Sequence, residues 1–254
     1  MTVAGVFRFG GKPVECGMTE RLYLEEPTLV TARARVVAVS NAGVVLDRTT
    51  FYPRGGGQPG DIGNMFWDGG DFIVVDAIKG DENAIVHVPA PNSDLPPVGA
   101  TVEIAIDWVR RRTIMRMHTT LHLLCAVLPG AAVTGGSIAV ERSRLDFDLP
   151  EPPPKELIEE RLNALIAGNH PVTTEWVDET VLDTNPELVR TLSVKPPRGS
   201  GRVRLVRIGS AGNLVDLQPC GGTHVANTSE IGRMAVQRIE NKGKQNRRIT
   251  VIAG

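Results

Sequence analysis

The apolar positions of this 254-residue chain change their period once, near residue 107. Before that point they come in short runs, Leu29 to Val39, Val44 to Asp47, Phe72 to Ile78, Ile85 to Val88 and Thr101 to Ile106, separated by clusters of Gly, Pro, Asn and Asp. Runs of this length between turn residues predict strands, and their number predicts a small barrel or sandwich over residues 18–107. Beyond it, Ile114, Met117, Leu121, Leu124, Cys125 and Leu128 recur at intervals of three and four until Pro129-Gly130 stops the pattern, which predicts a helix from Asp107 onward. A second helix is predicted from about Pro152 to Ala167, with prolines in its opening turn, Leu157, Ile158, Leu162, Leu165 and Ile166 on its apolar face and Gly168 at its end. Strand-like runs surround the helices: Ile138 to Asp148, Pro171 to Val177, Val203 to Ile208, Leu214 to Leu217, Met234 to Ile239 and Arg248 to Ile252. The expected fold is therefore α+β, a small N-terminal β-barrel over 18–107 followed by an α+β domain over 108–254.

Composition adds limits. With 41% hydrophobic and 22% charged residues the chain has ordinary globular composition and enough length for one or two cores. No apolar run approaches the roughly 18 to 20 residues of a membrane span, and Met1 to Gly17 contains no uninterrupted apolar stretch of the kind a signal peptide needs. A cytoplasmic, monomeric protein with no membrane partner is expected. The three cysteines, Cys16, Cys125 and Cys220, are an odd number in a long chain and do not read as a disulfide framework. Cys125 lies on the apolar stripe of the first helix and reads as core.

Charge is uneven. The formal net charge of -1 conceals 6 basic and 13 acidic residues over 18–107, a net of -7, against 20 basic and 15 acidic over 108–254, a net of +5. Arg190, Lys195, Arg198, Arg202, Arg204 and Arg207 lie in a stretch without an acid, and Arg233, Arg238, Lys242, Lys244, Arg247 and Arg248 meet only Glu240. Such clusters suit a phosphate backbone, or else are solvated strand faces.

The chemistry begins with His118-Thr119-Thr120-Leu121-His122. Residues four apart share a helix face, so both imidazoles can reach one metal ion. A protease of the zincin type would carry a glutamate directly after the first histidine, where Thr119 stands. About a hundred residues later comes Cys220-Gly221-Gly222-Thr223-His224, preceded by Pro219. Cysteine and histidine are preferred zinc ligands, and the glycines allow a turn tight enough for both side chains to face one point. His118, His122 and Cys220 are expected as zinc ligands, with His224 either a fourth ligand or the group that positions an attacking water. A closed site that only staples the loop to the helix is the structural alternative, although such sites are usually dominated by thiolates. Asp216 and Gln218 flank the turn, and either could hydrogen-bond a ligand imidazole. His87 and His170 read as surface or capping residues.

The pairing of His-x-x-x-His with Cys-Gly-Gly-Thr-His resembles the editing domain shared by alanyl-tRNA synthetases, the free-standing alanyl-tRNA editing proteins called AlaX, and the threonyl-tRNA synthetase editing domain. Phe51-Tyr52-Pro53-Arg54-Gly55-Gly56-Gly57-Gln58-Pro59-Gly60-Asp61, on its own a plain glycine-rich hairpin turn, resembles the glycine-rich segment of the alanyl branch. The likeness runs from Met18 to Gly254, which makes residues 1–17 an expected disordered extension and Cys16 no ligand. It implies a trans-acting, zinc-dependent hydrolase that cleaves serine, and glycine with it, from the acceptor end of mischarged tRNA(Ala). No Gly-x-x-x-x-Gly-Lys loop or aminoacylation core is present, so ATP-independent action is expected. An aminoacyl ester is already activated, so zinc could either polarise water or orient the substrate without a protein nucleophile. The resemblance also places Gln58 near the chemistry and a polar residue for the serine hydroxyl at Thr134, with Ser137 as the alternative. A pocket cannot exclude alanine by size, but it can demand that hydroxyl's hydrogen bond. A non-catalytic RNA-binding module and a zinc hydrolase of some other acyl ester or amide are the competing classes.

Overall fold

The computed structural model describes residues 18–191 and 201–254, together with the backbone of Val6–Phe9 and Lys12–Glu15, which pair as an antiparallel ribbon within the stretch expected as an extension. The remainder of residues 1–17, Cys16 included, lies outside the described residues. The chain divides into two compact units, Met1–Gly55 with Pro59–Arg111, and Gly56–Gln58 with Arg112–Gly254. Among the described residues, no helix is long and apolar enough to cross a membrane.

The first unit is built on a closed barrel. Its strands are β1 (Thr31–Ser40), β2 (Gly43–Leu46), β3 (Gly63–Trp67), β4 (Gly70–Lys79), β5 (Ile85–Pro89) and β6 (Thr101–Ile106). They join antiparallel in the order β6-β1-β2-β5-β4-β3 and back to β6, so no edge is left to pair with another chain. Alternation sets the faces: Val102, Ile104 and Ile106 of β6 point inward with Val36, Leu46, Met65, Phe72 and Val74, while Thr101 and Glu103 face solvent. β3 lies outside the expected strands, because Gly60-Asp61-Ile62-Gly63-Asn64 reads as a turn. Its first residue is glycine for a packing reason, since a Cβ on Gly63 would collide with the Ala105 carbonyl of β6.

Two buried polar groups stabilise this unit. Arg111 is fully buried and donates to Asp61 and to the carbonyl oxygens of Thr50 and Pro27, so its charge is paired and hydrogen-bonded. His87, expected at the surface, is instead completely buried. Its Nδ1–H donates to Val44 O at 3.0 Å, its Nε2 accepts from Thr49 Oγ1 at 2.7 Å, and its ring lies edge-on to Phe51. A histidine in an alternating strand is a core position wherever its neighbours satisfy both nitrogens.

The long helix α1 (Trp108–Val127) starts as expected, with Asp107 Oδ1 accepting the Arg110 N–H at 3.0 Å as an N-cap. In the second unit the helix is buried on more than its predicted stripe. Met115, Thr119, Thr120 and Leu123 are covered as well as Ile114, Met117, Leu121, Leu124 and Cys125. A helix covered on nearly every side belongs to the interior.

The second unit also contains two sheets. The first has the order β7-β8-β13-β12, from β7 (Ala132–Ser137), β8 (Ser143–Asp148), β12 (Met234–Asn241) and β13 (Asn246–Ala253). The second has the order β9-β10-β11, from β9 (Val172–Asp178), β10 (Arg202–Ser210) and β11 (Asn213–Pro219). The strand expected over Ile138 to Asp148 begins only at Ser143, and β7 precedes the expected span. Residues 138–142 connect them, held by Ser143 Oγ, which accepts from Ala139 N at 3.2 Å. The segment Val133-Thr134-Gly135-Gly136-Ser137 belongs to β7, with a bulge between Val133 and Gly135. Helix α2 (Lys155–Ala167) begins three residues later than Pro152, because Pro154 takes an extended conformation with ψ 141°. The left-handed residue after this helix is Asn169, at φ 48°, rather than Gly168.

Candidate metal centre

Helix α1 places His118 and His122 one turn apart, with ring centroids 5.3 Å from each other. The turn after β11 brings Cys220 and His224 to the same point. One donor atom from each of the four residues lies within 4.8 Å of every other. Cys220 Sγ is 3.4 Å from both His118 Nε2 and His224 Nε2. All three imidazoles are nearly buried, at 7%, 5% and 4% exposure. This cluster could hold a metal ion.

The turn that delivers Cys220 and His224 is shaped by close approach. A Cβ on Gly222 would run into the His118 ring and come within 2.8 Å of Gln58 Oε1, whereas one on Gly221 would meet open space. Arg204 of β10, 4% exposed, donates from Nη1 to Cys220 O at 2.9 Å and Gly222 O at 3.0 Å, and so clamps both ends of the Gly-Gly bend.

Each imidazole is oriented through its other nitrogen. His118 Nδ1–H donates to Gln58 Oε1 at 2.9 Å; the same oxygen accepts the Thr223 N–H at 3.2 Å, and Gln58 Nε2 donates to Thr223 Oγ1 at 3.0 Å. His122 Nδ1–H donates to Asp216 Oδ2 at 3.0 Å, which Gln218 Nε2 also approaches at 2.8 Å. His224 Nδ1–H donates to Thr119 Oγ1 at 3.1 Å, a hydroxyl whose own hydrogen goes to Met115 O at 3.0 Å and which therefore acts here as acceptor. Three different acceptors thus hold Nδ1 of all three rings and turn each Nε2 inward. That is the arrangement metal-binding imidazoles require, and it is the observation by which these residues fit a metal.

The electrostatics agree. Burial works against the Cys220 thiolate, but the imidazoles of His118 and His224 and hydrogen bonds from His118 and His122 hold its pKa well below the ordinary thiol value. Burial likewise lowers His122, but the Asp216 carboxylate and Cys220 outweigh it and bring the value up to about 9. Burial and then the charge of His118 push His224 well below the ordinary imidazole value. Cys125, buried in the core as expected, is raised to about 12 by that burial and is no thiolate donor.

Other residues singled out in the sequence lie as follows. Thr134 Oγ1 accepts from Asn246 Nδ2 at 2.7 Å, and among the described residues neither Thr134 nor Ser137 hydrogen-bonds any member of the cluster. His170 is half-buried at the end of α2 and its N–H donates to Thr228 Oγ1 at 2.9 Å. The stretch of unopposed cations from Arg190 to Arg207 is not a free surface: Arg204 is buried at the metal turn, Arg207 pairs with Glu175 at 2.9 Å, and Arg190 Nε lies 3.6 Å from Asp216. Lys195 and Arg198 lie outside the described residues. Thr119 and Arg204 bond the cluster and its turn at positions that the sequence alone does not mark. Thr119 stands where a protease would carry glutamate, and Arg204 sits among apparent surface charges.

Comparison with known proteins fits this arrangement. Residues 203–250 match the model of the threonyl and alanyl tRNA synthetase second additional domain, and residues 26–110 match that of the class II (A) tRNA synthetases. The alanyl-tRNA editing protein AlaX-M of Methanosarcina mazei is 36% identical over 244 residues, covering 91% of this chain and 95% of that protein. The chain belongs to the AlaX family of alanyl-tRNA editing proteins. A second AlaX-M, from Saccharolobus solfataricus, is 35% identical over 91% of this chain and 98% of its own. The alanine–tRNA ligase of Pyrobaculum arsenaticum is 34% identical over 90% of this chain, which corresponds to only 26% of the ligase. The AlaX likeness thus spans both units, and in the ligase it is confined to about a quarter of the protein.

Proposed function

We propose that this AlaX-type chain is a trans-acting, zinc-dependent deacylase that hydrolyses the ester of tRNA(Ala) mischarged with serine or glycine. The observation that carries the reading is the set of three imidazoles, each with Nδ1 held by its own acceptor and Nε2 turned toward Cys220 Sγ. His118, His122, Cys220 and His224 would hold the ion; His224 is oriented like the other two rings, which favours it as a fourth donor. When bound, zinc supplies Lewis-acid polarisation of the ester carbonyl or of a water. The chain's own residues do the rest. Gln58 fixes the His118 ring and is a positioning residue, and Asp216 and Thr119 do the same for His122 and His224. Burial of the cluster keeps bulk water from competing for the donors.

Discrimination against alanine needs a partner that only the serine hydroxyl can satisfy, a device worth on the order of 10⁴-fold. Thr134 accepts from Asn246 and keeps its own O–H to offer, and we assign it this role, with Ser137 next in line. Parallel incubation of zinc-loaded protein with Ser-tRNA(Ala), Gly-tRNA(Ala) and Ala-tRNA(Ala) tests the reading. Release of serine with alanine spared is expected, and glycine, which has no hydroxyl to bond, should be released more slowly than serine. Inert Ser-tRNA(Ala) and Gly-tRNA(Ala) would overturn it, and equal hydrolysis of all three would overturn its specificity.

A further inference from the structure

The outward face of the β7-β8-β13-β12 sheet carries a cavity of about 280 Å³ that the metal centre does not use. It is lined by Ser137, Ser143, Thr250 and four arginines, Arg142, Arg144, Arg238 and Arg248. Strand register explains how residues so far apart in sequence converge. Ser137 faces Arg144, Arg144 faces Thr250, and Thr250 faces Arg238, so one cross-strand row runs over all four strands. The next row on that face sets Gly135 opposite Asp146, Asp146 opposite Arg248 and Arg248 opposite Glu240. Like charges brought so close need a reason to stay together.

Two acids offset part of the charge and fix its geometry. Asp146 receives Arg248 through Nε and Nη2, each at 2.8 Å, and Arg144 through Nη1 at 2.9 Å. Arg238 Nε lies 2.9 Å from Glu240. Arg142, on the connection between β7 and β8, is exposed and makes no ion pair among the described residues. Four guanidinium groups against two carboxylates leave an excess of two positive charges around a walled space. Planar guanidinium groups held in place by carboxylates suit the tetrahedral oxygens of a phosphate.

The cavity is also tied to the metal centre. Ser137 is followed by Ile138, whose N–H donates to Gly57 O at 2.9 Å, and the residue after Gly57 is Gln58, which holds His118. We propose that this cavity receives a backbone phosphodiester of the tRNA acceptor end and so anchors the strand whose terminal ester reaches the metal centre. The inference rests on the deacylase reading for the identity of the polynucleotide, but not for the anion chemistry. Gly135, opposite Asp146, leaves the β7 end of its cross-strand row without a side chain.

The test uses Arg142→Gln and the double variant Arg142→Gln/Arg238→Gln in the zinc-loaded full chain. Arg144 and Arg248 are left alone because Asp146 depends on them. Binding of uncharged tRNA(Ala) is measured across a salt series, independently of hydrolysis, beside steady-state deacylation of Ser-tRNA(Ala) and hydrolysis of a small seryl ester of adenosine. Expected are affinity weaker by about tenfold and a salt slope shallower by about one unit for each phosphate no longer neutralised. KM should rise by the same factor with kcat kept, and the small ester should be cut as by the parent protein. Unchanged affinity and slope in the double variant would overturn the proposal, as would an equal loss on the small ester. So would inorganic phosphate competing no better than chloride at matched ionic strength for the parent and equally for the variant. If the double variant melts early, Arg142→Gln, which breaks no ion pair among the described residues, carries the test alone. Failure of the parent protein to cleave Ser-tRNA(Ala) would strike the deacylase reading and leave the binding result standing by itself.

Discussion

Both units of the chain bury histidines, and they do so to opposite ends. In the barrel, His87 spends both ring nitrogens on its own unit, Nδ1–H on Val44 and Nε2 on Thr49. In the second unit, His118, His122 and His224 spend only Nδ1, on Gln58, Asp216 and Thr119, and turn Nε2 toward one another and Cys220. Residue type and burial are the same in the two places. What separates a packing histidine from a candidate metal ligand is whether a ring nitrogen is left over and whether several such nitrogens meet. Burial lowers His87 to about 4, with the Val44 bond pulling weakly the other way, whereas His122, opposed by the same burial, is lifted to about 9 by Asp216 and Cys220.

The contrast is most sharply broken by removing the thiolate. In Cys220→Ala, zinc content should fall to background by metal analysis and deacylation should drop by more than the roughly 10- to 100-fold typical of losing an orienting partner. The barrel's melting transition should hardly move, because no member of its core belongs to the cluster. Full activity in a zinc-free variant would remove the metal from the account. Loss of an orienting partner comes next. Asp216→Asn, Gln58→Ala and Thr119→Val should each weaken zinc affinity by about 10- to 100-fold in competition with a chromophoric chelator, Asp216 most because its acceptor is charged. Unaltered affinity in all three would mean that the inward-facing nitrogens do not depend on those bonds.

His87 gives the complementary pH test. Its folded pKa lies below the unfolded value of 6.5, so its stabilising effect is complete above pH 6.5 and is lost as pH falls toward 4, where the native ring finally accepts a proton. The stability difference between the parent and His87→Gln should therefore shrink across that window, by about 1.4 kcal/mol per pH unit at most. Denaturant melts at several pH values read it, and a difference constant from pH 7 to 4 would show that the ring takes up its proton in the native state as readily as in the unfolded chain.

The smallest effect is expected at Gly56, at φ 58° with open space where a side chain would go. A β-branched residue is strained there by about 1 to 2 kcal/mol, and the shift passes to Gly57 and Gln58. Gly56→Val should slow single-turnover deacylation by about tenfold while lowering the melting temperature by only a few degrees. A protein that melts early yet deacylates normally below that temperature would make the segment a simple turn.

What is legible in the sequence, and what is not, follows from how local each feature is. The helix carrying His118 and His122 is readable because its apolar period and Pro129-Gly130 stop are local, and the Cys220 turn because two glycines in succession mark a bend. β3 hides behind the turn-forming residues Gly60, Asp61, Gly63 and Asn64. Arg204 looks like one more surface cation, since its carbonyl partners at Cys220 and Gly222 lie 16 and 18 residues away. The Arg142-Arg144-Arg238-Arg248 cavity is invisible for a stronger reason: its register joins strands roughly a hundred residues apart, and no spacing rule links them. His87 reads as a surface residue because a strand histidine is classified by neighbours that only the barrel brings together.

The central claim is that the four inward-facing donors hold the zinc on which deacylation depends. It is tested most directly by stripping the protein of metal and following single-turnover hydrolysis of Ser-tRNA(Ala) as zinc is returned. The rate should start near background, climb in proportion to added zinc and level off at one equivalent, with Ala-tRNA(Ala) untouched throughout. A full rate in the stripped protein, or no rate at one bound equivalent, would contradict the claim.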